Sequence, residues 1–337
     1  MTKGKVLMGT VAAIMLIVGM VISYKAVEKN IEANRKTSFH KCMNIGNALE
    51  SPKNITGDLQ MKAEYFEIIR DAGFDSVRLP VRFSDYVDKT TYILDEQFMN
   101  TIDNYINYAL NDNLTLILDM HHFEEIMEKP EDYKDMFLSI WDQLSSRYAG
   151  SSDKLVFELL NEPKENLEGE LWNEYLKNAV EVIRSHDKKR KIIVGPDSCY
   201  SVERLYDLII PEDKNLILTF HYYEPETFTF QGDSYHKEYE NLRNIKWNGT
   251  DAELNVMDNK FDIAKKYSKE NKIPVFLGEF GVNKKVKEQY RYKWIESVRT
   301  EADSYNFSWA YWEFASNFGI YNLKNQTWGD ELQALIP

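Results

Sequence analysis

Short apolar, β-branched runs recur along the chain, and between them apolar residues return at intervals of three and four. The runs fall at 43–46, 76–81, 115–120, 155–160, 191–195, 216–220, 274–278 and 307–312. Each is nearly continuous rather than alternating, which is the pattern of parallel strands covered on both faces. Helical periodicity occupies 60–72, 98–111, 133–148, 171–186, 257–271 and 285–304. Eight strands alternating with helices predict an α/β fold, a closed (β/α)8 TIM barrel rather than an open doubly wound sheet. No G-x-G-x-x-G follows the first run, which counts further against a dinucleotide-binding sheet.

Hydropathy also divides the chain. Residues 6–22 are uncharged and apolar, behind Lys3 and Lys5. As a helix the segment is near the lower limit for spanning a bilayer, and no A-x-A-like site follows it. The expected organisation is a signal anchor or signal peptide at 1–23, a polar stalk at 24–38 and one catalytic barrel at 39–337. Lys25, Lys29, Arg35 and Lys36 follow the apolar segment, so a plain count of cations does not set its orientation.

The 337 residues carry a net charge of −13, which excludes a sequence-independent grip on nucleic acid. Two cysteines, Cys42 and Cys199, are too few for a disulfide framework and read as two buried free thiols. Between Tyr222 and Gly249 lies a long aromatic and polar connection, and loops of that length are usually functional.

Polar residues gather where the strands end. Asn47 and Glu50 follow the first strand, and Arg78 belongs to the second. His121 and His122 end the third, Asn161 and Glu162 the fourth, His221 and Tyr223 the sixth, Glu279 the seventh, Trp312 and Glu313 the eighth. In a barrel all these ends open on one face, where active sites of this fold lie. Taken singly, His121 reads as a core histidine and Arg78 as an ion-pair partner; their convergence on one rim points to a site. A carboxylate inside a buried strand carries a heavy desolvation cost, whereas one at its mouth reaches solvent and substrate. Two such acids, Glu162 and Glu279, are what glycosidic bond cleavage requires. A metal hydrolase built on Asp119, His121, His122 and His221 is a weaker reading, because these residues lack a clear tetrahedral or facial set. No metal and no cofactor is expected.

The strings MNIGNALESP, FDSVRLPVRFSDY, LILDMHH, VFELLNEP, ILTFHYYEP, FLGEFG and WAYWEF appear in order from Met43 to Phe314. The ordered set resembles glycoside hydrolase family 5, the cellulase family of (β/α)8 retaining glycosidases. GNALE together with HYYEPETFTFQG is similar to its endoglucanase branch, some members of which also cleave mannan. The resemblance implies Glu162 as general acid/base and Glu279 as nucleophile. It makes Arg78, His121, Asn161, His221 and Tyr223 their supports: Arg78 and Tyr223 on the Glu279 carboxylate, Asn161 on the sugar 2-hydroxyl, the histidines orienting acids and substrate. A sugar ring would stack on Trp312, with Asn47, Glu50, His122 and Glu313 meeting its hydroxyls.

Phe230 and Tyr235 stand where related members commonly carry His and Trp, which puts the sugar subsites they would line in question. The usual Glu-Gly-x-Trp after LE-x-P is also absent. The expectation is a retaining endo-β-1,4-glucanase on soluble glucans, monomeric, on the external face of the membrane or secreted. A β-1,4-mannanase, a xyloglucan or mixed-linkage glucanase, and a non-catalytic polysaccharide-binding surface protein are the alternatives.

Overall fold

The computed structural model describes residues 37–55 and 57–337. The expected anchor, and the expected stalk up to residue 36, lie outside the described residues. Among those residues no helix is long and apolar enough to cross a membrane.

Eight parallel strands close into a barrel. They are β1 (Lys41–Asn44), β2 (Ser76–Val81), β3 (Thr115–Met120), β4 (Leu155–Glu158), β5 (Ile192–Val194), β6 (Leu216–His221), β7 (Val275–Phe280) and β8 (Ser308–Tyr311). β1 joins β8 in register Lys41↔Trp309 and Cys42↔Ala310, which leaves no open edge. The expected runs locate all eight, but β7 extends further, so Glu279 lies within a strand rather than after one.

Helices Glu64–Asp71, Glu96–Asn111, Pro130–Arg147, Gly169–His186, Asp251–Asn271 and Glu288–Ser304 surround the barrel. Several begin before the apolar periodicity does, because polar caps start them. The Asp95 side chain accepts from the Phe98 amide, and Pro130 occupies the first turn of its helix. Thr250 and Glu253 form a reciprocal capping box. A 3-10 turn, Val202–Asp207, stands between β5 and β6, so no long helix covers that sector. An unexpected antiparallel pair, Tyr321–Asn322 with Thr327–Trp328, sets Trp328 against Phe74 and Phe314.

Two separate apolar cores follow from the alternation of side chains along each strand. One fills the space between barrel and helices. The other plugs the barrel interior with Phe39, Cys42, Ile117, Val156, Ile193, Ile217, Phe276 and Ala310. Of the two thiols expected to be buried, Cys42 is, but Cys199, in the turn after β5, is exposed. Two residues further along the same strands, on the same face, stand Asn44, Asp119, Glu158 and Thr219, all fully buried. The interior therefore changes from apolar to ionic within one side-chain layer, directly below the rim where the candidate acids lie.

Candidate active site

Arg78 on β2 is the centre of the ionic layer and is fully buried. Its Nε and Nη2 grip both oxygens of Glu158 at 2.8 and 2.9 Å. Nη2 also donates to Asn161 Oδ1 (2.8 Å) and lies 3.0 Å from Asp119 Oδ2. Nη1 donates to Asn44 Oδ1 (3.0 Å) and to Glu279 Oε1 (2.7 Å). A guanidinium suits this place because its planar fork serves several acceptors at once and keeps its proton. Glu158 was not anticipated: the run 155–160 reads as apolar, yet its fourth residue is a buried carboxylate carried by a bidentate arginine.

Above this layer the two candidate acids converge. One oxygen of Glu162, one of Glu279 and a ring nitrogen of His221 all lie within 4.8 Å of one another. β6 and β7 slip register between Phe220 and His221, which brings His221 opposite Glu279. The acids differ in their partners. Glu279 accepts from Arg78 and, through Oε2, from the Tyr223 hydroxyl at 2.8 Å. Glu162 has His221 Nδ1 at 2.6 Å from Oε1. Its backbone is left-handed, with φ +48°, an uncommon state for a glutamate that turns the side chain off the strand and into the cleft.

Burial pushes both carboxyls above the ordinary range. For Glu279 that push is opposed by His221 and Arg78 and by the Tyr223 hydroxyl. Glu162 is opposed by Lys164, Arg78, His122 and His236, and none of these donates a hydrogen bond to it. Arg78 and Tyr223 both support the Glu279 anion through hydrogen bonds, a support that neither gives to Glu162. Burial brings His221 down to about 4, so its ring is neutral, and raises the Tyr223 hydroxyl, which stays a donor.

Asp119 accepts from His121 Nδ1 at 2.5 Å, and the His121 ring lies parallel to Trp312 with centroids 5.7 Å apart. Burial raises Asp119, opposed by the Arg78 charge, and lowers His121. Turned towards Arg78 and each other, these two do not form a common donor set with His122 and His221. The metal-hydrolase arrangement is thus not the one observed; the described donors that converge are those of Glu162, His221 and Glu279.

The acids open on a cleft of about 860 Å³ lined by Asn47, Glu50, His121, His122, Asn161, His221, Tyr223, Phe230, Tyr235 and Trp312, among others. Trp312 needs close neighbours without side chains: a Cβ on Gly46 would come within 2.7 Å of its ring, and one on Gly281 within 1.9 Å of its carbonyl oxygen. His122 is half-exposed beside Glu124, 3.2 Å away. Tyr235 is 61% exposed, with its hydroxyl on Asp58 at 2.9 Å, and offers an open ring face. Phe230 is instead a packing hub against Tyr223, Phe318 and Tyr239.

Two expected sugar contacts are otherwise engaged. The Glu50 carboxylate accepts from the Asn47 and Ala48 amides and closes its own turn; burial, opposed by those amides, lifts it to about 7. Glu313 is fully buried and lies off the cleft. Its oxygens accept from the amides of Ala315, Ser316 and Phe318 and from the Ser316 hydroxyl, so it ties the loop after β8. Ser316 in turn accepts from the Asn47 side-chain amide at 2.7 Å. Glu313→Gln, which leaves that loop one acceptor short, should lower stability by about 1–3 kcal/mol with KM nearly unchanged. Denaturant melts and steady-state kinetics check this; a raised KM with unchanged stability would restore the sugar-contact role.

A model of the cellulase family, glycosyl hydrolase family 5, matches residues 41–318. The chain belongs to that family. Among solved family 5-like structures, cellulose synthase subunit Z from Clostridioides difficile superposes with a TM-score of 0.88 at 50% identity. That match covers 89% of this chain and 100% of the clostridial one. A Thermotoga maritima endoglucanase, solved with cellobiose, gives a TM-score of 0.86 at 39% identity, covering 90% and 99% of the two chains. Endoglucanase H of Acetivibrio thermocellus is 29% identical over 86% of this chain, which spans only 32% of that longer protein. As a family 5 member the protein is a glycoside hydrolase, and its aligned region takes in every strand of the barrel.

Proposed function

We propose that this protein is a retaining endo-β-1,4-glucanase. The observation that carries the proposal is the approach of Glu162 and Glu279 to within 4.8 Å across an open cleft. Retaining glycosidases hold their carboxyls about 5–5.5 Å apart, whereas inverting ones leave about 6.5–9.5 Å for a water. In the first step a Glu279 oxygen attacks the anomeric carbon while Glu162 gives its proton to the departing glycosidic oxygen. The glycosyl-enzyme ester that results has no charge on Glu279, so Glu162 loses the like charge opposite it and gives up its proton more readily. It then takes one from water, whose oxygen displaces Glu279 and restores both groups. Asn161, fixed by Arg78, faces the sugar 2-hydroxyl, and Trp312 offers the stacking face.

An open cleft suits internal attack on a long chain, and the endoglucanase names of the relatives support glucan as substrate. Mannan is a second reading, favoured because the Thermotoga protein has also been solved with mannotriose. The clostridial protein's name, a cellulose synthase subunit, suggests a setting for this one. Anchored through residues 6–22 on the external face of the membrane, it would cut glucan as a neighbouring synthase extrudes it.

The test is a reducing-end assay of the chain from about residue 38 onward against β-1,4-glucans and mannans. Glucan should release ends fastest, and proton NMR of early products should show the β anomer first. An α anomer appearing first, or no hydrolysis of any β-1,4-glycan, rejects the proposal.

A further inference from the structure

The long connection after β6 brings to the cleft a residue that was not expected there. His236 lines the same cavity as Glu162. Its Nδ1 lies 2.6 Å from Oδ2 of Asp233, which is only 2% exposed. That is the one side-chain hydrogen bond Asp233 makes among the described residues, since its Oδ1 has no partner. A carboxylate so buried fixes the ring in one orientation, with a proton on Nδ1. Phe230 holds the ring further, in an edge contact with centroids 4.9 Å apart.

The opposite edge, with Nε2, makes no protein hydrogen bond among the described residues, and the side chain is 48% exposed. A ring pinned on one side and open on the other needs little reordering to take a ligand. The surroundings also favour its charged form. The Asp233 hydrogen bond is the main cause, burial opposes it, and Glu238 and Glu162 add to it, so the imidazole titrates above its ordinary range.

We propose that His236, held by Asp233, is a substrate-contacting residue whose Nε2–H donates to a glucan hydroxyl and whose positive charge helps set when Glu162 gives up its proton. The inference rests on the hydrolytic reading above. Glu162 is faced by Arg78 from β2, His122 after β3, Lys164 after its own strand and His236 from the long loop, each favouring its anion against burial. His221 bonds to it, and Glu279 stands opposite. Removing the His236 charge lets Glu162 keep its proton to higher pH, so the alkaline limb of the activity profile moves upward.

His236→Ala, His236→Gln and Asp233→Asn should be compared with the unaltered chain on cellotetraose, from about pH 4 to about pH 9. His236→Ala is expected to lower kcat/KM about tenfold, mainly through KM, and to displace the alkaline limb upward. His236→Gln, a neutral donor of similar reach, should recover most of the KM while keeping the displaced limb. Asp233→Asn should displace the limb in the same direction. An alkaline limb that stays in place in His236→Gln overturns the proposal, and that variant decides the matter if His236→Ala does not fold. An unaltered chain that cleaves no β-1,4-glycan refutes the hydrolytic reading instead, a separate result.

Discussion

Glu279→Gln should give a folded protein whose hydrolysis of β-1,4-glucan is slower by roughly four or more orders of magnitude. The amide keeps the shape of the carboxyl but has no charge to offer the anomeric carbon, so no ester forms. Glu162→Gln should behave differently. On glucan its loss is large, about 100- to 10,000-fold, because the departing sugar oxygen needs a proton. On a dinitrophenyl cellobioside, whose phenolate leaves unaided, the first step should survive in Glu162→Gln and fail in Glu279→Gln. Burst kinetics with the two substrates separate the roles. Equal losses on both substrates in both variants would mean that the acids are not divided as their surroundings indicate.

The second large effect falls on stability. Arg78→Met should destabilise the fold by about 3–5 kcal/mol, the usual consequence of leaving buried carboxylates without their cation. Asn44, Glu158, Asn161 and Glu279 all lose a donor together. Burial already raises Glu279 and Asp119 and the Arg78 charge opposes it, so without the guanidinium both take up protons more readily in the folded state than in the unfolded one. Folding then binds protons, so the deficit of Arg78→Met should shrink as pH falls and widen as it rises. Urea titrations at several pH values check both size and slope; a deficit under about 1 kcal/mol, or one that grows with acid, would show that the network contributes little.

The barrel was legible because buried parallel strands need unbroken apolar runs, as in Leu116-Ile117-Leu118 and Val275-Phe276-Leu277. The acids at the rim were legible for the complementary reason, as charges just where such runs stop. Glu158 shows where that reasoning falls short. It sits inside a run, and its desolvation is relieved by an arginine eighty residues away in sequence, a compensation that no local pattern displays. A usable signal did exist: Asn44, Asp119 and Glu158 each follow an inward apolar residue by two, the period of a strand. Glu313 illustrates the reverse case. It follows β8 much as a rim acid should, but the loop behind it folds three amides onto its oxygens, and turn geometry of that kind is not written in hydropathy. His236 was passed over because its partner Asp233 and its cleft position depend on how the long loop lies across the barrel.

Glu279 is built into a strand of the barrel wall, whereas Glu162 stands beyond the end of β4 on a turned residue. The two are therefore mounted differently, one in the wall and one on the turn above it. The fixed member suits a group that must meet the same carbon in both half-reactions. The member at the mouth suits one that must serve first a large departing chain and then a small incoming water. Changes in the segment behind Glu162 can thus alter which acceptors the enzyme tolerates without disturbing the covalent step.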